Sequence, residues 1–195
     1  MTNPRANDDD LTAKARIRNA ALDLYAKYGE DRVSMRAVAA ASGVTVGLVQ
    51  HHFKTKNGLR AAVEQLVVDY HVQAIAQAPD EGTPAQIAAA RDEAVRQMLR
   101  THPEVMDYVR RSILEPGGAS QLLERLTELS RSEISKLRAR GVASTRRSES
   151  TQVIGVMVSQ FGQLLLQPMI DDMWDYLGKT DGRDGDKPSL TVTVD

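Results

Sequence analysis

Between Gly29 and Thr55 the chain stops and restarts a helix three times, and few folds accommodate that punctuation. Gly29 ends one helical pattern. Ser34 opens the next and Gly43 ends it, and Thr45 and Thr55 open two more. Ser and Thr suit the start of a helix because their hydroxyl oxygens accept from an orphan amide of the first turn. Glycine suits the end because it enters the left-handed region without steric cost. Only about two turns fit between each start and stop. Helices that short need a longer one to bury against. Met35, Val38 and Ala39 mark the inward side of the first short helix, and Val44, Val49 and Phe53 that of the second. Ala39 and Gly43 are small, so the two can approach closely at a large crossing angle. The longer support lies just before them. Ile17, Ala20, Ala21, Leu24, Tyr25 and Tyr28 recur as one apolar stripe on a helix starting near Leu11 or Thr12, with Asp10 as its expected cap. A long helix, a short helix, a tight glycine turn and a second short helix make a helix-turn-helix pattern.

The remainder is also read as helical, so the fold class is all-α. Ala, Leu, Arg, Glu and Gln dominate and alternating β-branched runs are scarce. Helices are predicted over 56–77, 84–100, 103–114, 119–140, 145–167 and 168–177, with Thr83 and Pro84 as a cap and first-position pair. The first ten residues read as a disordered arm, and 179–195, rich in Gly, Asp and Lys, as a disordered tail. Thr191 to Val194 has strand character but is too short to matter alone. A length of 195 residues is enough for a real core.

Charge looks uninformative until it is divided. Lys and Arg total 25 and Asp and Glu 26, a net −1 that argues against a nucleic-acid partner. Residues 11–60, however, hold nine basic side chains (14, 16, 18, 27, 32, 36, 54, 56, 60) and three acidic ones (23, 30, 31), nine minus three giving +6. The rest of the chain must therefore carry −7. Contact with phosphates needs local basic density, not a basic whole.

Other chemistries find little support. There is no cysteine, which removes disulfides, thiol catalysis and cysteine-based metal sites. The histidines are His51, His52, His71 and His102. Adjacent His51 and His52 point about 100° apart on a helix and do not share one ion easily. No Walker, GxSxG or GxGxxG motif occurs, and Asp181, Asp184 and Asp186 lack calcium-loop spacing. No metal, cofactor or catalytic residue is expected, and the chain is not read as an enzyme. The polar start is no signal peptide, and residues 150–170 carry too many Gln, Ser and Thr for a membrane span, so a cytoplasmic protein without a membrane partner is expected.

The stretch RIRNAALDLYAKYGEDRVSMRAVAAASGVTVGLVQHHFKTKNGLRAAV, residues 16–63, closely resembles the DNA-binding domain of the TetR family of bacterial transcriptional regulators. A-A-L-D-L-Y-A-K-Y-G-E, V-S-M-R-A-V-A-A-A-S-G-V-T and H-H-F-K-T-K-N-G-L carry the likeness in order and spacing. The resemblance implies a three-helix DNA-binding domain over 11–56, with helix 56–77 as connector, and a ligand-binding and dimerisation domain over 57–178. It places Ser34 and Arg36 against phosphates. Thr45, Val46, Gly47 and Leu48 fall at base edges, His51 at the backbone, and Lys56 at a phosphate with its helix N-terminus. Gln50 stands where the family often has a phosphate-binding tyrosine; it can bond a phosphate or read an adenine. Val46 stands where Lys or Pro is common and can touch a thymine methyl.

The resemblance also implies a homodimer, duplex operator DNA and a small-molecule effector as partners. Val153, Gly155, Met157, Ser159, Phe161, Gly162, Leu165, Ile170 and Met173 are the expected dimer surface, where Gly155, Ser159 and Gly162 leave room for another helix. Met98, His102, Met106, Tyr108, Ile113, Gln160 and Trp174 are candidate pocket residues for a lipophilic effector with a hydrogen-bonding end. The expected function is a regulator, most often a repressor, released from a palindromic operator by its effector. The alternative is a helical protein–protein adaptor without an operator.

Overall fold

A computed structural model of the chain describes residues 4, 12–114, 120–180 and 186–192. Among them are eight helices and no strand: α1 (Ala13–Tyr28), α2 (Met35–Ala41), α3 (Val46–Phe53), α4 (Lys56–Gln77), α5 (Pro84–Thr101), α6 (Pro103–Leu114), α7 (Ser120–Ala139) and α8 (Glu149–Thr180). They gather into two compact units, residues 1–125 and 126–195. The functional division expected at 56/57 therefore does not coincide with this structural one: α1 to α6 share the first unit.

The punctuation is made of hydrogen bonds. The Ala37, Leu48 and Gly58 amides donate to the hydroxyls of Ser34, Thr45 and Thr55 at 3.1, 3.3 and 3.0 Å. Gly43 has φ 66°, and the Val44 amide turns back to the Ala39 carbonyl at 3.0 Å, which ends α2. Thr83 goes further than expected. It forms a reciprocal box with Gln86, whose side chain accepts from the Thr83 amide at 2.8 Å. The start of α1 differs: Thr12, not Asp10, is the cap, accepting from the Ala15 amide at 3.3 Å. Asp10 lies outside the described residues.

The buried face of α1 is rotated from the expected stripe. Ile17, Ala21, Leu22, Tyr25 and Ala26 are buried, Leu24 is half-exposed, and Tyr28 is exposed with the Lys27 ammonium 5.1 Å from its ring. The reason is tertiary: α1 packs against α2, α4 and α6 together, so its covered arc is set by three neighbours. Tyr108 of α6 stacks on Tyr25 with ring centroids 6.4 Å apart. From the same helix, Arg111 donates to the α1 carbonyls of Ala26 and Lys27, each at 3.3 Å. Cations suit a helix C-terminus, where carbonyls lack intrahelical partners.

One charge network is internal. Glu64 of α4 is fully buried and bridges Arg60 at 2.9 Å and Arg125 at 3.4 Å, while Arg60 also meets Glu30 at 3.4 Å. Arg60, one of the nine basic residues of 11–60, is thus engaged internally.

In the second unit Leu126, Ile134, Val153, Met157 and Leu164 are buried. Arg138 donates to the Arg147 carbonyl at 3.0 Å and the Gln152 side chain at 3.1 Å, tying the α7–α8 turn. The two helices expected over 145–167 and 168–177 are one, α8, with Pro168 inside it. Proline removes one amide donor and crowds the preceding turn, but its fixed φ is helical, and long helical flanks on both sides carry the chain through. By length and composition α8 qualifies as a membrane span, against the expectation from its polar residues; one such helix is weak ground for a membrane. Residues 179–180 continue α8, and 186–192 lie along it, with Leu190 and Val192 half-buried.

Candidate nucleic-acid interface

The second short helix, α3, is anchored on one side and bare on the other. Val49 and Phe53 are buried, fixing it to the first unit. Thr45, Gly47, Gln50 and His51 are exposed, and Val46 and Leu48 half-exposed. All six expected contact positions are therefore at least half-exposed. The Thr45 hydroxyl accepts from the Leu48 amide as a cap, which leaves its own proton to donate outward. Gly47 keeps the open face low, with only the Thr45 hydroxyl near where a side chain would begin. His51 and His52 meet edge-on with centroids 5.3 Å apart. Among the described residues no three His, Asp or Glu side chains converge as metal ligands.

The flanks are basic. Ser34 and Arg36 are exposed at the start of α2, and Arg32 and Lys54 are exposed on either side of the pair. Lys56 opens α4, where its ammonium donates to the Asp31 carbonyl at 3.3 Å. That contact stitches the α1–α2 turn to the α4 N-terminus. The α3–α4 junction is tight. Lys54 has φ 63°, and Gly58 packs so closely on the Phe53 carbonyl that a Cβ there would overlap it.

A profile described as "Bacterial regulatory proteins, tetR family" matches residues 17–63. The chain is 35% identical over 114 residues to the HTH-type transcriptional regulatory protein RaaS of Mycobacterium tuberculosis. That alignment covers 58% of this chain and about half, 51%, of the relative. An HTH-type transcriptional repressor of the same organism is 26% identical over 147 residues, covering 75% of this chain and 76% of the repressor. The crystal structure of PfmR, a TetR family transcriptional regulator from Thermus thermophilus, superposes with TM-score 0.59 at 18% identity, over 90% of this chain and all of that one. Over residues 17–63 the chain is thus similar to bacterial regulatory proteins of the tetR family.

A cavity of about 590 Å³ lies between α4 and α5. Ala74, Ala90 and Ala94 make the space, and Gln73, Gln97 and His102 put polar groups into its wall. The His102 ring lies 4.5 Å from that of buried Tyr70. Two expected pocket residues, Met98 and His102, line it. Met106 and Ile113 do not, and Tyr108 is turned to Tyr25. Gln160 and Trp174 belong to the other unit. Glu93 stands at the rim, where hydrogen bonds from Arg100 and Arg96 hold its carboxyl below the usual range.

Of the expected dimer residues, Val153 and Met157 face their own unit's interior, and the Ser130 hydroxyl contacts the Met157 sulfur at 3.1 Å. Gly155, Ser159, Phe161, Gly162, Leu165 and Ile170 are half-exposed and Met173 exposed. Ile154, Val158, Leu166, Met169, Tyr176 and Leu177 are also exposed on α8.

Proposed function

We propose that this protein is a homodimeric, ligand-responsive transcriptional regulator that represses by binding a near-palindromic operator. The observation that carries this is α3: it is anchored by buried Val49 and Phe53, leaves Thr45, Gly47, Gln50 and His51 exposed, and is bracketed by exposed basic side chains. In this reading Thr45, Val46, Gly47, Leu48 and Gln50 meet base edges in the major groove. Ser34, Arg36, His51 and Lys56 hold phosphates. A second copy covers the exposed apolar side of α8, which sets the spacing of the two readers on successive turns of DNA. A protein with these partners works in the cytoplasm.

The cavity between α4 and α5 is the effector site in this proposal. Its alanine walls suit an apolar body and Gln73, Gln97 and His102 a hydrogen-bonding end. His102 lies at the junction of α5 and α6, and α6 grips α1 through Tyr108 and Arg111. An effector that favours one arrangement of α4 and α6 thereby biases the readers.

Fluorescence anisotropy on duplexes selected from fragmented source DNA tests the reading. Affinity should fall steeply with salt as phosphate counterions are released. Lys56→Ala should weaken all duplexes about equally, whereas Gln50→Ala should change which duplexes are preferred. Absence of any enriched sequence, with no salt dependence, would turn the reading toward a protein–protein adaptor.

A further inference from the structure

The outer side of α8 is already occupied at its middle. At about 100° per residue, Ile154, Val158, Leu166, Met169, Met173 and Tyr176 all fall within about 80° of the direction of Gly162. All six are exposed, so Gly162 sits at the centre of an apolar stripe. Residues 186–192 cross toward that centre. Lys187 pairs with Asp171 at 2.9 Å. The Gln167 amide donates to the Pro188 carbonyl at 3.3 Å and accepts from the Leu190 amide at 2.8 Å. One turn earlier, Gln163 donates to the Leu190 carbonyl at 3.3 Å. The Val192 side chain then rests on Gly162, where a Cβ would lie only 2.7 Å from its Cγ2.

Gln163, Gln167 and Asp171 are four residues apart and form one ridge of the helix, inclined to its axis. An extended segment laid along that ridge is led obliquely from the polar flank onto the apolar stripe. The two glutamines bind it through backbone groups, as a neighbouring strand would, because a carboxamide both donates and accepts. Pro188 has no amide to satisfy and needs only its carbonyl bonded, which Gln167 does. The ends set the register: Lys187 finds a carboxylate and Val192 finds a position without a side chain.

We infer that residues 186–192 are a strap that competes with a second copy of this chain for the α8 face. The inference rests on the proposal that α8 dimerises. Packed helices lie about 8–10 Å apart depending on the side chains at the contact, and small residues at the crossing give the near end of that range. Gly162 is such a residue, and Val192 fills the space above it. Strap and partner helix therefore exclude each other at that point. Three hydrogen bonds, none fully buried, one surface ion pair and one valine make a reversible closure, not a permanent one. Dimerisation then requires release of the strap, and anything that binds the released strap promotes operator binding.

Sedimentation equilibrium on three forms tests this: the full chain, a chain ending at Thr180, and Gln163→Ala with Gln167→Ala. Neither glutamine is among the residues assigned to the dimer contact. Truncation and the double variant should each tighten the dimer about ten-fold, or about 1.4 kcal/mol. A synthetic peptide of residues 186–195, added to the truncated chain, should loosen it again. Equal dimer constants in the three forms would overturn the strap. A weaker dimer after truncation would also overturn it, by making these residues part of the interface. Three monomers at every concentration would overturn dimerisation itself and the gating with it. In that case binding of labelled peptide to the truncated chain still reports the contact, and no binding removes the strap altogether.

Discussion

His71 shows what a single buried residue contributes beyond packing. It lies in α4, and its Nδ1 is 2.8 Å from the Val67 carbonyl, which can only accept, so Nδ1 carries the proton. Burial holds its pKa below the ordinary histidine value, the bond to Val67 opposing this in part. The folded state thus disfavours a second proton that the unfolded chain accepts. Below the unfolded pKa, about 6.5, the unfolded state binds more protons, so stability should fall as pH drops through that value toward the lower folded pKa. Thermal unfolding followed from about pH 7.5 to about pH 5.5 should show this fall. In His71→Gln, which can still donate to Val67 and does not titrate there, the slope should flatten. An unchanged slope would show that other groups carry it. Glu64 is the contrasting case. Its charge is buried yet met by two guanidinium groups, and Glu64→Ala should cost about 1–3 kcal/mol because Arg60 loses its nearer partner and keeps only Glu30.

Among the elements, the α3–α4 junction carries the sharpest constraint. Gly58 is in the first turn of α4, where helix propensity favours alanine by about 1 kcal/mol. The Phe53 carbonyl occupies the space its side chain would need. Propensity therefore predicts that Gly58→Ala stabilises, and packing that it destabilises by about 1–3 kcal/mol and weakens DNA binding by shifting α3. Denaturant unfolding decides between them, and we expect destabilisation. The same contrast explains how much was legible in the sequence. Ser34, Gly43, Thr45, Thr55 and Thr83 could be assigned because a cap bonds within three or four residues of itself. The α3 face could be assigned because the motif is local and its inward residues are few. The buried side of α1 could not, because α6 lies about eighty residues away and decides it. Pro168 misled because its effect on a helix depends on what supports both flanks. The cavity wall and the strap were hidden for one reason. Alanines on facing helices, and glutamines that bond a distant backbone, have no signature until the chain is folded.

For the whole molecule, the consequence is that the readers have no private core. Ile17, Leu22 and Tyr25 of α1 are buried in a unit that also contains α4 and α6, with Val105, Tyr108 and Val109 buried on α6. Large-to-small changes at such positions cost the transfer energy of the lost atoms plus a cavity term, about 3–5 kcal/mol for an aromatic. Tyr108→Ala changes no residue of the reading face, yet it should lower the melting temperature and take operator affinity with it. The loss of affinity should be temperature-dependent. It should be small in the cold, where the variant is still folded, and large near its melting point. Lys56→Ala should do the opposite, losing affinity at every temperature with its melting temperature nearly unchanged. Circular dichroism melts alongside anisotropy titrations at several temperatures separate the two patterns. If Tyr108→Ala melts early while operator affinity at that temperature stays at the parent level, α1 to α3 fold without α6. The route proposed from the cavity through α6 to the DNA would then have no physical basis.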